Sequence, residues 1–348
     1  MSAKRFYVTI LSPFGMLYGR IMALRNHLYD RGLFKTRGLG ARTISVGNLT
    51  TGGTGKTPLV ALIAKMLIDD GEAVGILTRG YGRKDPRSRV LVSDGEKALV
   101  DAETGGDEPV ELALKLDGKA VIVADRDRVA AARWALENFK ITTFLLDDGF
   151  QHRGVKRDLD IICIDATKPC GNGRIIPAGT LRESFAGLRR ADAIVITRAD
   201  QVEDPSDLER RLRKWNPAAP IFNGWTQLKG LISLHDLYAE GPILPKPDKG
   251  ELYAFTGIGN PDNFFATLIN GGLELAGTRS FPDHHRFSQA DIENIEASLK
   301  RVGANGSVTT AKDAVKLKGL RLELPCYVAI AETVIDDIDT FKKLVTSF

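Results

Sequence analysis

The residues with the clearest chemical potential in this chain of 348 lie in the run Asn48-Leu49-Thr50-Thr51-Gly52-Gly53-Thr54-Gly55-Lys56-Thr57. Glycines let successive backbone N–H groups converge on phosphate oxygens. A helix N-terminus just after them adds a favourable dipole. Lys56 would reach the β- and γ-phosphates of a nucleotide, and the Thr57 hydroxyl would bind Mg²⁺. Thr50, Thr51, Gly52, Gly53, Thr54, Gly55, Lys56 and Thr57 are therefore the nucleotide-binding candidates. Thr50 stands where the usual motif has its first glycine, but the Gly-x-Gly-Lys-Thr core is intact. Thr51 stands where partitioning and nitrogenase-type ATPases carry a signature lysine, which argues against a dimeric switch ATPase.

A second candidate is Asp147-Asp148-Gly149, at the end of the apolar run Ile141 to Leu146. A buried parallel strand that delivers a carboxylate at its C-terminal end can serve Mg²⁺ through water. Two adjacent carboxylates repel unless a cation lies nearby. The plainer reading is an Asp-Gly turn with solvated acids. Gly105-Gly106-Asp107-Glu108-Pro109 opens a helical run, Val110 to Leu116, so Asp107 reads locally as a helix N-cap. Late in the chain, Phe281-Pro282-Asp283-His284-His285-Arg286-Phe287 holds two of five histidines. Neighbouring side chains on an extended segment point opposite ways, so one of the pair faces any given site. Metal ligand, partner of a general base and polar turn all remain open for it.

These residues need elements to position them. Thr43 to Gly47 reads as a short strand before the glycine loop. Leu59, Leu62, Ile63, Met66 and Leu67 give the helix after it one apolar side. Further short strands are expected at Ala73 to Thr78, Ala120 to Ala124, Leu159 to Asp165 and Ala193 to Thr197, with a helix over Val129 to Phe139. Strands alternating with helices imply a parallel sheet with ligands at the strand C-terminal ends. Those ends carry Arg79, Tyr81 and Arg83, the Asp147 pair, and Thr197-Arg198-Ala199-Asp200. The last string lacks the Asn and Lys of the guanine-reading Asn-Lys-x-Asp pattern.

Composition bounds the setting. Hydrophobic content of 43% and charged content of 26% suit a globular protein with a core. No apolar run is long enough for a transmembrane helix, and no signal peptide is evident, so a cytosolic compartment is expected. Cys163, Cys170 and Cys326 show no zinc spacing and are expected to be reduced. Net charge is +4. Residues 1–40 carry seven basic residues against Asp30 alone, a local +6 that leaves −2 for the remainder. That is no diffuse basic surface for nucleic acid. In the same segment Phe14, Leu17, Tyr18, Ile21, Leu24 and Leu28 recur at helical spacing. Two readings stand: a helix in the headgroup region of a bilayer, or one packed on the protein's own core. Arg25 falls within that apolar face.

Taken together, the motifs resemble the tetraacyldisaccharide 4′-kinase family. The matching strings are Val46 to Pro58, Arg79-Gly80-Tyr81-Gly82, Gly106 to Pro109 and Asp147 to His152. They continue with Asn172 to Arg174, Pro177 to Gly179, Leu181 to Glu183, Phe255 to Pro261 and Phe281 to His285. The resemblance spans nearly the whole chain. It implies an ATP- and Mg²⁺-dependent kinase that phosphorylates the 4′-hydroxyl of tetraacyldisaccharide 1-phosphate to give lipid IVA. It also implies Asp107 as general base paired with His284 rather than His285. Asp147 and Asp148 would serve Mg²⁺, with Glu183 a further metal candidate. Arg79, Tyr81, Arg83, Gln151 and His152 would face the acceptor. Ala311, in Thr309-Thr310-Ala311-Lys312-Asp313, stands where the family usually shows Glu, and no catalytic role is assigned to that string. The expected partners are the lipid substrate and a membrane surface, with no nucleic acid and no obligate protein partner. The expected location is peripheral, on the cytoplasmic face of the bacterial inner membrane.

The expected fold class is α/β: a P-loop NTPase-type parallel sheet flanked by helices, a second smaller α/β lobe and an N-terminal amphipathic helix. The expected divisions are a membrane-associating helix (1–34), a P-loop kinase domain (35–215), a connector (216–250) and a smaller C-terminal lobe (251–348). Five prolines between 217 and 247 motivate the connector.

Overall fold

The computed structural model describes residues 3–236, 251–283 and 285–347, with side chains from residue 10 onward. Its strands are β1 (Arg42–Asn48), β2 (Val74–Thr78), β3 (Val90–Asp94), β4 (Val121–Ala124), β5 (Thr143–Asp147), β6 (Leu159–Asp165), β7 (Ala193–Thr197), β8 (Ile221–Ser233), β9 (Leu252–Thr256), β10 (Leu275–Ser280), β11 (Gly306–Thr310) and β12 (Cys326–Ile335). Its α-helices are α1 (Ala3–Asp30), α2 (Lys56–Asp69), α3 (Ala102–Gly105), α4 (Asp107–Lys115), α5 (Arg128–Asn138), α6 (Ser206–Arg213), α7 (Pro261–Asn270), α8 (Gln289–Val302), α9 (Ala311–Ala314) and α10 (Ile338–Thr346).

All the strands join one sheet in the order β10-β9-β11-β12-β8-β7-β6-β1-β5-β2-β4-β3. Neighbours run parallel except at β8/β12 and β3/β4. Strands β2, β5, β6 and β7 are buried along their whole length, as apolar runs covered by helices on both faces should be. Strand β1 lies between β5 and β6, so the glycine loop after β1 and the carboxylates after β5 leave the same sheet edge side by side. Leu59, Val60, Ile63 and Leu67 of α2 are buried against Ile44, Val46, Leu145 and Ile161.

The expected connector at 216–250 is corrected. Ile221–Ser233 is one long strand whose start pairs with β7 and whose remainder pairs with β12. Pro217 and Pro220 end before it begins, so they do not interrupt its hydrogen bonding. Residues 237–250 lie outside the described ones. The expected 251–348 lobe is also corrected at its end. Phe341 and Val345 of α10 are fully buried in the core beneath α2, with Phe341 edge-on to Phe222 at 5.1 Å. The final helix therefore belongs to the P-loop lobe.

Helix α1 docks through its small and polar side. A Cβ on Gly15 would meet the Ile175 carbonyl oxygen at 2.8 Å, and one on Gly19 would meet Ile175 Cδ1 at 2.8 Å, so both glycines permit a close approach. Met22 is buried, and Asn26 Nδ2 donates to Glu183 Oε2 at 2.8 Å. Arg25 lies on this inner side, donating to the Gln151 carbonyl at 3.0 Å. Ile10, Phe14, Leu17, Ile21 and Leu24, at four- and three-residue spacing, remain 50–60% exposed. Most of the expected apolar face thus points away from the core, whereas Tyr18 and Leu28 are half-buried.

Candidate functional site

Between β1 and α2 the chain makes the turn that a phosphate loop requires. Gly52 and Gly55 take φ of 107° and 80°, values that favour glycine. The loop is braced from beneath. Asn48 Nδ2 donates to Thr54 Oγ1 at 2.7 Å, and Thr197 Oγ1 donates to the Thr54 carbonyl at 2.9 Å. Arg198, paired with Asp165, donates to the Gly53 carbonyl at 2.6 Å. With these carbonyls occupied on the far side, the loop is held where its N–H groups can meet an anion. Residues Thr51 to Thr57 line a cavity of about 1210 Å³. Thr50 does not; it is buried in a bridge to Leu181 and anchors the loop's entry.

Asp147 and Asp148 reach this cavity from β5, with Thr78 and Arg79 beside them. Asp147 accepts from Thr78 Oγ1 at 3.3 Å through Oδ2, while its buried Oδ1 has no partner. Burial, then the charges of Glu108 and Asp148, push its pKa up to about 7. Asp148 adopts φ 55°, which turns its carboxylate toward Arg182 Nη1 (2.7 and 2.8 Å) and Lys56 Nζ (3.5 Å). Burial opposes its ionisation, but Lys56 and Arg182 hold it below the ordinary carboxylate range. An orphaned buried oxygen on one acid, a second acid beside it and the Thr57 hydroxyl in one cavity fit a hard cation that also takes phosphate oxygens. Among the described residues no cluster of three or more His, Cys, Asp or Glu could hold a metal alone.

Two expected residues are corrected. Glu183 does not line the cavity: Arg190 grips its carboxylate with two bonds of 3.0 Å, and Asn26 and Gln151 donate to it at 2.8 and 3.0 Å. A carboxylate so saturated serves as a brace between α1 and the loop after β5, not as a metal ligand. Arg83 is buried with its guanidinium donating to the Ala124 carbonyl at 2.7 Å and the Pro86 carbonyl at 3.0 Å, away from the cavity wall.

Of the other acceptor candidates, Arg79, Tyr81 and Gln151 line the cavity, and Tyr81 is 68% exposed. His152, also expected to face the acceptor, does not line the cavity. Burial and the charges of Arg128, Arg157, Arg25 and Arg79 lower its pKa to about 4.

Asp107 is the first residue of α4, and Gly106, at φ 95°, takes the N-cap position. Its local reading as a cap is thereby corrected. Its carboxylate lies 3.2 Å from Lys316 Nζ. Glu108, its neighbour, lines the cavity together with Asp283 and Lys312 from the second lobe. His284 lies outside the described residues. His285 is engaged elsewhere: its Nε2 is 3.1 Å from Asp291 Oδ2 and its ring stacks on Phe281 at 4.6 Å.

Residues that sequence reasoning left without a role also meet here. Arg182 and Arg198 line the cavity, and buried Arg128 sits at the start of α5. The signal for Arg182 was its place in the Leu-Arg-Glu string, next to the acid chosen instead. The cavity also takes Tyr18, Met22 and Arg25 from α1 and Ile258, Gly259 and Asn260 from the loop after β9. Its lining therefore combines α1, the phosphate loop and the second lobe.

A family model described as LpxK, tetraacyldisaccharide-1-P 4′-kinase, matches residues 7–347. A tetraacyldisaccharide 4′-kinase of Desulfotalea psychrophila is 38% identical over 96% of this chain and 95% of its own length. One from Geobacter metallireducens is 38% identical over 96% of each. The crystal structure of the "apo" form of LpxK from Aquifex aeolicus in complex with ATP superposes over 98% of both chains, with a TM-score of 0.77 and 32% identity.

Proposed function

The chain belongs to the tetraacyldisaccharide 4′-kinase family, and on that premise we propose how its side chains divide the transfer of a phosphoryl group from ATP to a lipid. It is a kinase of lipid A biosynthesis that uses ATP and Mg²⁺ to phosphorylate the 4′-hydroxyl of tetraacyldisaccharide 1-phosphate, giving lipid IVA. One observation carries the reading of the site: a single cavity is lined both by the phosphate loop and by Tyr18, Met22 and Arg25 of α1.

Phosphoryl transfer asks little covalent work of the protein; it needs positioning and charge neutralisation. The N–H groups of residues 52–56 and the Lys56 ammonium bind the phosphates. Thr57, Asp147 and Asp148 would hold Mg²⁺, which neutralises charge developing on the β- and γ-oxygens when bound. Arg182, fixed on Asp148, adds positive charge at the same place. Asp107 accepts the acceptor's proton, with His284 as its partner from the second lobe. Arg79, Tyr81 and Gln151 bind the sugar phosphate, with Arg128 and His152 behind them. The outward stripe on α1 lies in the headgroup region, so the enzyme works peripherally on the cytoplasmic face of the inner membrane.

The test is transfer of labelled γ-phosphate from ATP to tetraacyldisaccharide 1-phosphate in detergent micelles. Label at the 4′ position supports the reading. ATP hydrolysis indifferent to the lipid contradicts it.

A further inference from the structure

Lysine 316 joins the two lobes at the base. It follows α9 in the second lobe, and its side chain is only 8% exposed. Its Nζ lies 3.2 Å from Asp107 Oδ2, on α4 of the P-loop lobe, and 3.4 Å from Asp313 Oδ1. Asp313 is completely buried, and its other oxygen accepts three bonds: from Thr256 Oγ1 at 2.6 Å, the Gly257 N–H at 2.9 Å and Thr310 Oγ1 at 2.9 Å. Those donors already satisfy much of the Asp313 charge. The ammonium is thus held in place by Asp313 and has bonding capacity left for Asp107.

The donors also say what the lysine is tied to. Thr256 and Gly257 open the turn whose next residues, Ile258, Gly259 and Asn260, line the cavity. A fixed path therefore runs from a cavity-lining turn of the second lobe, through Asp313 and Lys316, to the carboxylate of Asp107. Lys312, Glu108, Glu111 and Asp283 surround the same place, but Lys312 makes its ion pair with Asp283, at 3.3 Å.

We propose that Lys316 is a positioning residue for the general base: anchored by Asp313 to the 256–260 turn, it orients the Asp107 carboxylate toward the acceptor hydroxyl. The proposal rests on the reading of Asp107 as the base. It assigns no contact between Lys316 and either substrate.

The experiment is a mutant cycle in the labelled-lipid assay on the full chain, with wild type, Lys316→Met, Asp107→Asn and the double variant. Lys316→Met is expected to lower kcat at least about tenfold while the KM for ATP stays within about twofold, as loss of an interaction needed only in the chemical step should. In the Asp107→Asn background the same change is expected to cost less than about twofold, because no base remains to orient. Equal losses in both backgrounds would overturn the proposal, as would a raised KM for ATP that accounts for the loss, since that describes a simple tether between lobes. Lys316→Gln, which keeps an N–H donor toward Asp313, is read by the same criteria if the methionine variant does not fold. Active wild type with an active Asp107→Asn would remove the base assignment, whereas inactive wild type would remove the kinase reading.

Discussion

Replacing Leu17 and Ile21 of α1 with serine tests the proposed membrane contact of the outward stripe, and the size of the effect follows from exposure. The two side chains are 58% and 55% exposed on the protein, so somewhat more than half of each remains to be buried on a bilayer. Complete burial of such a side chain is worth about 1.5–3 kcal/mol. The remaining half is worth about 1 kcal/mol each, or about 2 kcal/mol together. At 1.4 kcal/mol per factor of ten, partition onto vesicles should weaken about thirtyfold. The assay is co-sedimentation with phospholipid vesicles over a range of lipid concentration. Thermal stability should hardly change, because the inward face of α1 (Gly15, Gly19, Met22 and Asn26) is untouched. Partition within about twofold of wild type would refute the reasoning, and α1 would then need another occupant for its outer face.

Three further outcomes follow from the site. Glu183→Gln strands Arg190, which lies 4.5 Å above the Phe150 ring, and should cost about 3 kcal/mol in urea unfolding, the low end for breaking a buried pair. The Mg²⁺ concentration dependence of kcat should stay unchanged in that variant, since the carboxylate is a brace. The His152 imidazole, followed by proton NMR, should titrate near pH 4 in the free protein and move upward when a phosphate-bearing acceptor offsets the arginines around it. Its sign for stability is fixed: the unfolded chain binds the proton between about pH 6.5 and 4 while the folded one does not. Stability from this group therefore falls as pH drops through that window, and His152→Gln should flatten the slope. Phe341→Ala, at a fully buried ring beneath α2, should cost about 3–5 kcal/mol and loosen the P-loop lobe, although the residue lies near the C-terminus.

The local chemistry was legible in the sequence because glycine loops and strand ends act through nearby backbone. The parallel strands at 159–165 and 193–197 fall where their apolar runs place them, and the glycine loop sits between a strand and a helix as read. Helix α4 starts three residues before its expected run, because Gly106 supplies a φ of 95° that releases Asp107 and Glu108 into the first turn. What one sequence cannot carry is which partner a side chain meets across the fold. The resemblance implied Glu183 as a metal candidate, yet Arg190, only seven residues on, together with Asn26 and Gln151 saturates it. Arg83 was expected to face the acceptor, yet it is buried and spends its donors on two backbone carbonyls. The return of α10 to the P-loop lobe depends on β8 and β12 crossing between lobes as one long antiparallel pair. Proline content near 217 and 247 hid β8, whose strand fits between those prolines.

The central claim is that Asp107 serves as base in transfer to a lipid hydroxyl. Its most direct test is the rate of labelled γ-phosphate transfer to tetraacyldisaccharide 1-phosphate by wild type beside Asp107→Ala, at saturating ATP and Mg²⁺. Loss of about a hundredfold or more in kcat, with the nucleotide still bound, is the predicted result and lies in the usual range for removing a general base. Transfer by Asp107→Ala at the wild-type rate would contradict it.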